Sequence, residues 1–492
     1  MKGKTDEMKR IFTLLLALLM ISSCFIACEK EDDKTDEQNP SGDNVVSTSG
    51  EYVSKLPEDM DWGGETYLVL GQNKNGNAQW ETFEISYDEL PNDVVGKAVW
   101  ERNDAIKQKY NMIVNKELVT QSHLHIQSYL ASNEDKYDMV MYQLEGVFSH
   151  AQSGYLYDLT QLNYIDLAHP AWNKYSTEQL TFGDAIFCTT GDFNLQNKAQ
   201  LAVMYYNREM ARDAGDGYLE DLVYNNQWTL DKFNELAAAY SADSNGNGVK
   251  GDEADTFGAA GDRGDFLFYA VGAGYRASTV TDGQVTMAGA GDHILDILEK
   301  VGVTYFNSQN RFITESIKPL DYGRSVNIFK DERSLFYCGN VKDIDLNWSE
   351  ASFEFGALPM PKYDSNQDGY YTQVNYVYSS LCAIPKTVMD TEFAGFGLEV
   401  LTEYSTDTSL NAFIEEKCKL QDSYDQRMSD MFDLIFKNPV YDLAIVGNFG
   451  NLRSIMTSRL PESKNASRYA TMYNSAAEAA QESINQIVED LG

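Results

Sequence analysis

The chain has 492 residues, with 39 Lys and Arg against 75 Asp and Glu, a formal charge of −36 and a pI near 4.4. That balance excludes polyanion partners such as nucleic acid, because phosphate contacts need clustered Lys and Arg. The length allows two or more lobes.

Met8-Lys9-Arg10 is a basic start, and the apolar run Ile11 to Ile21 follows it, interrupted only by Thr13. The run is shorter than the roughly 20 apolar residues of a spanning helix, and the pattern is that of an export signal. Cys24 and Cys28 each follow small residues at the end of this core. Polar sequence begins directly after Cys28, so Cys28 is the expected lipidation site and mature N-terminus. Residues 1–27 are then the lipoprotein signal peptide. Residues 28–60 begin with a charged, Ser/Gly/Asn-rich stretch that cannot offset its ordering entropy by burial, and they read as an acidic tether. The expected location is extracytoplasmic, lipid-anchored to the cell membrane.

Strand and helix patterns then alternate. Strands are expected at Tyr67–Leu70, Met112–Leu118, Tyr137–Tyr142, Ala185–Thr189 and Ala202–Tyr206, and helices at Asp93–Tyr110 and Leu124–Ser132. Alternation of this kind points to a parallel α/β sheet. Thr229 is set to cap a helix whose apolar face is Phe233, Leu236, Ala237 and Tyr240. Further strands are expected at Thr256–Ala259, Ser334–Tyr337, Phe355–Leu358 and Ser380–Ile384. Ser475-Ala-Ala-Glu478 reads as a capping box opening a C-terminal helix. Cys188, Cys338, Cys382 and Cys418 are widely spaced, with no metal-ligand spacing, and are expected as buried apolar side chains.

Several blocks resemble the family 1, carbohydrate-type extracellular solute-binding proteins of bacterial ABC transporters. They are Trp100-Glu-Arg-Asn-Asp104, Tyr137-Asp-Met-Val140, Gly154 to Leu159, Thr190-Gly-Asp192, Tyr206-Asn-Arg208, Trp228 to Phe233, Phe355 to Tyr363 and Phe436 to Leu443. Their order runs through nearly the whole mature chain. The resemblance implies an α/β, periplasmic-binding-protein-like type II clamshell, with two α/β lobes joined by crossing hinge segments. Residues 61–193 and 376–435 are expected in lobe 1, and 194–375 and 436–492 in lobe 2. It also implies a monomeric binding lipoprotein, not an enzyme, with a sugar or oligosaccharide ligand and ABC permease subunits as partners. Two other readings are a helical-repeat glycan-binding lipoprotein and a secreted glycoside hydrolase. Strand–helix alternation argues against the first; no nucleophile or phosphate-loop motif supports an enzyme.

Ligands of open α/β sheets sit beyond the carboxyl ends of strands, and sugars need polar partners together with flat aromatic surface. Asn73, Trp80, Gln143, Glu145, Asp192, Asn194, Arg263 and Asn340 follow strands in this way. Phe449 occupies a position where the family usually has an aromatic. Trp228 is read as core. Asp243-Ser-Asn245-Gly-Asn247-Gly248 mimics the start of a calcium loop, with ligands at Asp243, Asn245 and Asn247, but its twelfth position is Ala254. A solvent turn is the alternative there, and no other cofactor is expected.

Overall fold

The structure is a computed structural model, described for residues 52–491 except 75, 145, 350 and 420–424. Cys24, Cys28 and Glu145 lie outside the described residues. In chain order the main strands are β1 (Thr66–Gln72), β2 (Ile113–Val119), β3 (Met139–Gln143), β4 (Ala202–Asn207), β5 (Phe257–Gly261), β6 (Arg311–Ile313), β7 (Ser334–Asn340), β8 (Phe355–Leu358) and β9 (Ser380–Ala383). The main helices are α1 (Val94–Tyr110), α2 (Ser122–Ser132), α3 (Leu230–Ala239), α4 (Asp292–Tyr305), α5 (Thr391–Ser405), α6 (Gln426–Lys437) and α7 (Tyr469–Leu491).

Two sheets organise these elements. The first has the order β9-β3-β1-β2, with β1 parallel to β2 and β3, and β9 antiparallel at the edge beside β3. The second has the order β8-β4-β7-β5-β6; β5 runs parallel to β6 and β7, and β4 is antiparallel to both neighbours. The chain leaves the first sheet after β3, builds the second, and returns to the first as β9. That route places the carboxyl ends of β1, β5 and β7 around one cleft.

Local chemistry explains the elements. In α1, Asp93 caps the start by accepting from Gly96 N at 2.8 Å, and Asn111 ends the helix in the left-handed conformation. Its inner face is Val95, Val99, Arg102, Ile106 and Tyr110, all buried. Buried Arg102 donates to the carbonyls of Glu84 (3.0 Å) and Ile85 (2.7 Å) and to Ser405 Oγ (3.1 Å), which ties α1 to the end of α5. In α3 the expected cap is present: Thr229 Oγ1 accepts from Lys232 N at 3.3 Å, and Phe233, Leu236 and Ala237 are buried. Trp228 is fully buried and donates from Nε1 to Pro359 O at 2.8 Å. Helix α5 is buried on every side, and Gly397 lets it approach Tyr67 so closely that a Cβ would lie 2.2 Å from the ring.

Two expected elements differ. Residues 185–189 form no strand: Ala185 bridges Phe182 and Thr189 bridges Cys382, so the segment makes only isolated pairs beside the edge strand β9. Ser475 and Glu478 lie inside α7 and do not open it. The helix is entered through the short turn Ala466–Arg468, which Asn465 caps by accepting from Ser467 N at 3.1 Å. Cys188, Cys338, Cys382 and Cys418 are buried and unpaired. Among the described residues no helix is long and apolar enough to cross a membrane.

Candidate ligand cleft

A cavity of about 790 Å³ lies between the two sheets and is lined from both. That size falls within the ~300–1,000 Å³ usual for small-molecule sites. The first sheet contributes the loop after β1. There Asn77 Oδ1 accepts from Gln79 N at 2.9 Å and fixes a short turn, Ala78–Trp80, that presents Trp80. The crossing segment before β9 contributes Tyr376 and Tyr378. Asn375 holds it by accepting from Val377 N (2.8 Å) and Tyr378 N (3.2 Å). The rings of Trp80 and Tyr378 meet edge to face at 4.8 Å, so two aromatic surfaces from different segments form one wall.

The second sheet supplies the polar wall. After β7, Asp343 accepts from Asn340 N at 2.7 Å, from Asn347 Nδ2 at 2.7 Å and, across the cleft, from Gln79 Nε2 at 2.9 Å. Asn375 Nδ2 donates to Asn340 Oδ1 at 3.1 Å, which joins the crossing segment to the same cluster. After β5, Asp262 accepts from Ser325 Oγ at 3.3 Å, and Asp265 pairs with Arg311 at 3.0 Å. Arg311 lies beneath, its guanidinium 3.9 Å from the Tyr305 ring. Glu315 accepts from Arg263 N at 2.9 Å. Burial raises Asp343 to about 6, and burial together with the neighbouring Glu315 raises Asp262 to about 6.

The expected site residues divide by place. Trp80 and Asn340 line the cavity. Arg263 sits beside it between Asp262 and Asp265, but its guanidinium reaches outward to Glu462. Asn73 donates to Thr120 Oγ1 at 3.0 Å, and Gln143 ends β3 opposite Ser380. Asn194 is fully buried; it donates to Ser380 O at 3.0 Å and accepts from Asn197 N at 3.0 Å, which fixes the turn after the crossing. Asp192 accepts from Thr406 Oγ1 at 2.8 Å and stands 3.7 Å from Lys198. Phe449 lines a second cavity of about 360 Å³ with Gly146 and Arg453, and stacks on Phe148 at 5.9 Å. Arg453 also stands 5.6 Å from the ring of Tyr376, which lines the first cavity.

In the loop 243–252, the Asp243 carboxylate accepts from Gly246 N and Gly248 N, each at 2.8 Å, and Asn245 Nδ2 donates to Asp252 at 2.9 Å. These are the bonds of a tight polar turn. Sequence reasoning passed over Tyr376, Tyr378, Glu315 and Asp343 as site residues. The signal available was the Tyr-Val-Tyr alternation just before a strand, whose meaning depends on knowing that the segment crosses between sheets.

The chain matches no family model and no curated protein sequence. Among solved structures it is similar to the ABC substrate-binding protein Lmo0181 from Listeria monocytogenes, solved in complex with cycloalternan. The TM-score is 0.52 at 12% identity, over 87% of this chain and 99% of that one. It is also similar to UspC of M. tuberculosis, with a TM-score of 0.51 at 14% identity over 85% of this chain and 100% of that one. The chain therefore shares the two-sheet α/β fold of these two proteins, in line with the α/β fold class that the resemblance of the sequence implied.

Proposed function

We propose that this protein is the solute receptor of an ABC importer, capturing a sugar or oligosaccharide between its two lobes and delivering it to a permease. The observation that carries the reading is the cavity between the sheets. Trp80 and Tyr378 offer ring faces there, while Asn340, Asn375, Asp262 and Glu315 offer hydrogen-bond partners. Flat rings suit sugar C–H faces, and carboxylates and amides suit hydroxyls. The similar Listeria protein holds a carbohydrate, cycloalternan, which supports this ligand class. Binding then acts as a population shift: a ligand touching both walls favours the closed arrangement. Lipid attachment at Cys28, behind the acidic tether, would keep the receptor outside the cytoplasm and near its permease. We read it as a binder and not an enzyme.

A thermal-shift screen against a glycan library tests the reading. A specific sugar at about 100 times its Kd adds about 2.7 kcal/mol of apparent stability. Trp80→Ala should remove most of that shift while leaving the unliganded melting temperature nearly unchanged. Stabilisation by peptides and by no sugar would overturn the ligand class, and release of cleavage products would overturn the binding role. Radiolabelled lipid retained by the wild type and lost on Cys28→Ser checks the anchor; labelling that persists in that variant places it elsewhere.

A further inference from the structure

The charge of the large cavity is one-sided. Asp262, Asp265, Glu315 and Asp343 all line it, and the described residues that line it include no Lys, Arg or His. Cations beside the cavity are engaged elsewhere, Arg263 with Glu462. Arg311 is buried beneath and pairs with Asp265, and Arg453 belongs to the smaller cavity beyond Tyr376. Asp343 is held by three donors, from Gln79, Asn340 and Asn347, and serves to position the wall. Asp262 is reached by the side-chain hydroxyls of Ser325 and Thr314 and stands beside Glu315, which accepts the backbone N–H of Arg263 and helps to raise Asp262. Neighbouring carboxylates beside the rings of Trp80, Tyr376 and Tyr378 form a lining suited to hydroxyl or ammonium donors and hostile to a further anion.

We propose that this cavity sorts glycans by charge, admitting uncharged and ammonium-bearing sugars and rejecting uronate- and sulfate-bearing ones, with Asp262 and Glu315 as the discriminating pair. The inference rests on the cavity being the solute site. A ligand carboxylate placed within about 4 Å of either acid, in a medium less polar than water, loses at least about a hundredfold in affinity relative to its neutral counterpart. A neutral sugar meets no such cost, because its hydroxyls donate to the same oxygens. An ammonium group gains by the same geometry.

Two measurements test this on the intact protein. The first is a thermal-shift panel of three matched sets: neutral gluco- and xylo-oligosaccharides, glucosamine oligomers, and oligogalacturonates with heparin oligosaccharides. Stabilising compounds are expected only in the first two sets. For any glucosamine oligomer that binds, Asp262→Asn with Glu315→Gln should weaken affinity at least about tenfold. Equal or greater stabilisation by the uronate or sulfated set overturns the charge filter while leaving the sugar reading intact. Stabilisation by no glycan of any charge overturns both. The second measurement needs no ligand. Trp80 emission, taken as the wild-type signal minus that of Trp80→Phe and normalised to quenching of free N-acetyltryptophanamide, should be quenched at least about twofold more efficiently by caesium than by iodide. Asp262→Asn with Glu315→Gln should lower that ratio. Equal quenching, or a preference for iodide, overturns the proposal.

Discussion

Replacing Glu399 by Gln should stabilise the protein in a strongly pH-dependent way. Glu399 lies on α5 and is almost completely buried. Its Oε2 accepts from Asp166 N and Trp172 Nε1, both at 3.0 Å, while Oε1 is buried with no hydrogen-bond partner. Burial, reinforced by the nearby carboxylates of Glu403 and Asp166, raises the group from 4.5 to about 7. The raised value fixes the sign. Below about pH 4.5 the side chain is protonated folded and unfolded alike, and its contribution is fully present. Between 4.5 and 7 the unfolded chain gives up the proton that the folded one keeps, so stability falls as pH rises, and the loss is complete above about pH 7. At about 1.4 kcal/mol per pH unit, the interval amounts to about 3 kcal/mol. Glutamine preserves the acceptor for Asp166 N and Trp172 Nε1 and carries no charge at any pH. Urea unfolding of wild type and Glu399→Gln should therefore give midpoints within about 1 kcal/mol of each other near pH 4.5. The variant should pull ahead by up to about 3 kcal/mol near pH 8. Parallel pH profiles, or a variant less stable at pH 8, would refute the reasoning, because neither can arise if an uncompensated buried charge is what the substitution removes.

The buried pair of Arg208 and Glu220, with side-chain exposures of 3% and 0%, predicts a loss of about 3–5 kcal/mol for Arg208→Ala, since Glu220 is left charged and dry. Arg208→Met with Glu220→Gln should recover most of that loss in urea unfolding; no recovery would mean that packing, and not the stranded charge, sets the cost. In a chain with Cys24 and Cys28 changed to Ser, a thiol reagent should find no reactive group natively and four after unfolding, since burial raises the thiols of Cys188, Cys338, Cys382 and Cys418 and hides them. Gln79→Ala deletes the hydrogen bond to Asp343 across the cleft, a contact to an acidic group worth about 1.5–3 kcal/mol. The unliganded molecule should then shift toward a more open form, seen as a larger radius of gyration by small-angle scattering; an unchanged radius would show that this contact does not hold the lobes.

The elements that could be read from the chain are those whose signal is local. Asp93 and Thr229 cap their helices because a short acceptor side chain reaches the first free N–H groups wherever the rest of the molecule lies. Strands β1, β3, β4 and β7 follow runs of β-branched and aromatic residues, and the sheet class followed from their alternation with helices. Helix α5 gave no such signal, because all its faces are buried and no amphipathic period marks it. Residues 185–189 carry strand-like residues, yet their pairing depended on how far β9 extends, which no local pattern records.

The site shows the same division. Trp80 and Asn340 were reachable because one lies in the loop after β1 and the other at the carboxyl end of β7, and position relative to a strand end is a sequence property. Asn194, Asp192 and Asn73 satisfy that rule equally well, but the tertiary structure turns them toward Ser380, Thr406 and Thr120. Tyr376, Tyr378 and Glu315 reach the cleft only because the chain crosses from the second sheet to the first there, and because β6 ends beside β5. The sequence by itself determined the export signal pattern, the acidity, the caps, the apolar strands and the family resemblance, all of which depend on neighbouring residues or on order along the chain. Only the tertiary structure decided which polar groups share the cleft and which satisfy one another in the core, because that choice depends on distances between segments hundreds of residues apart.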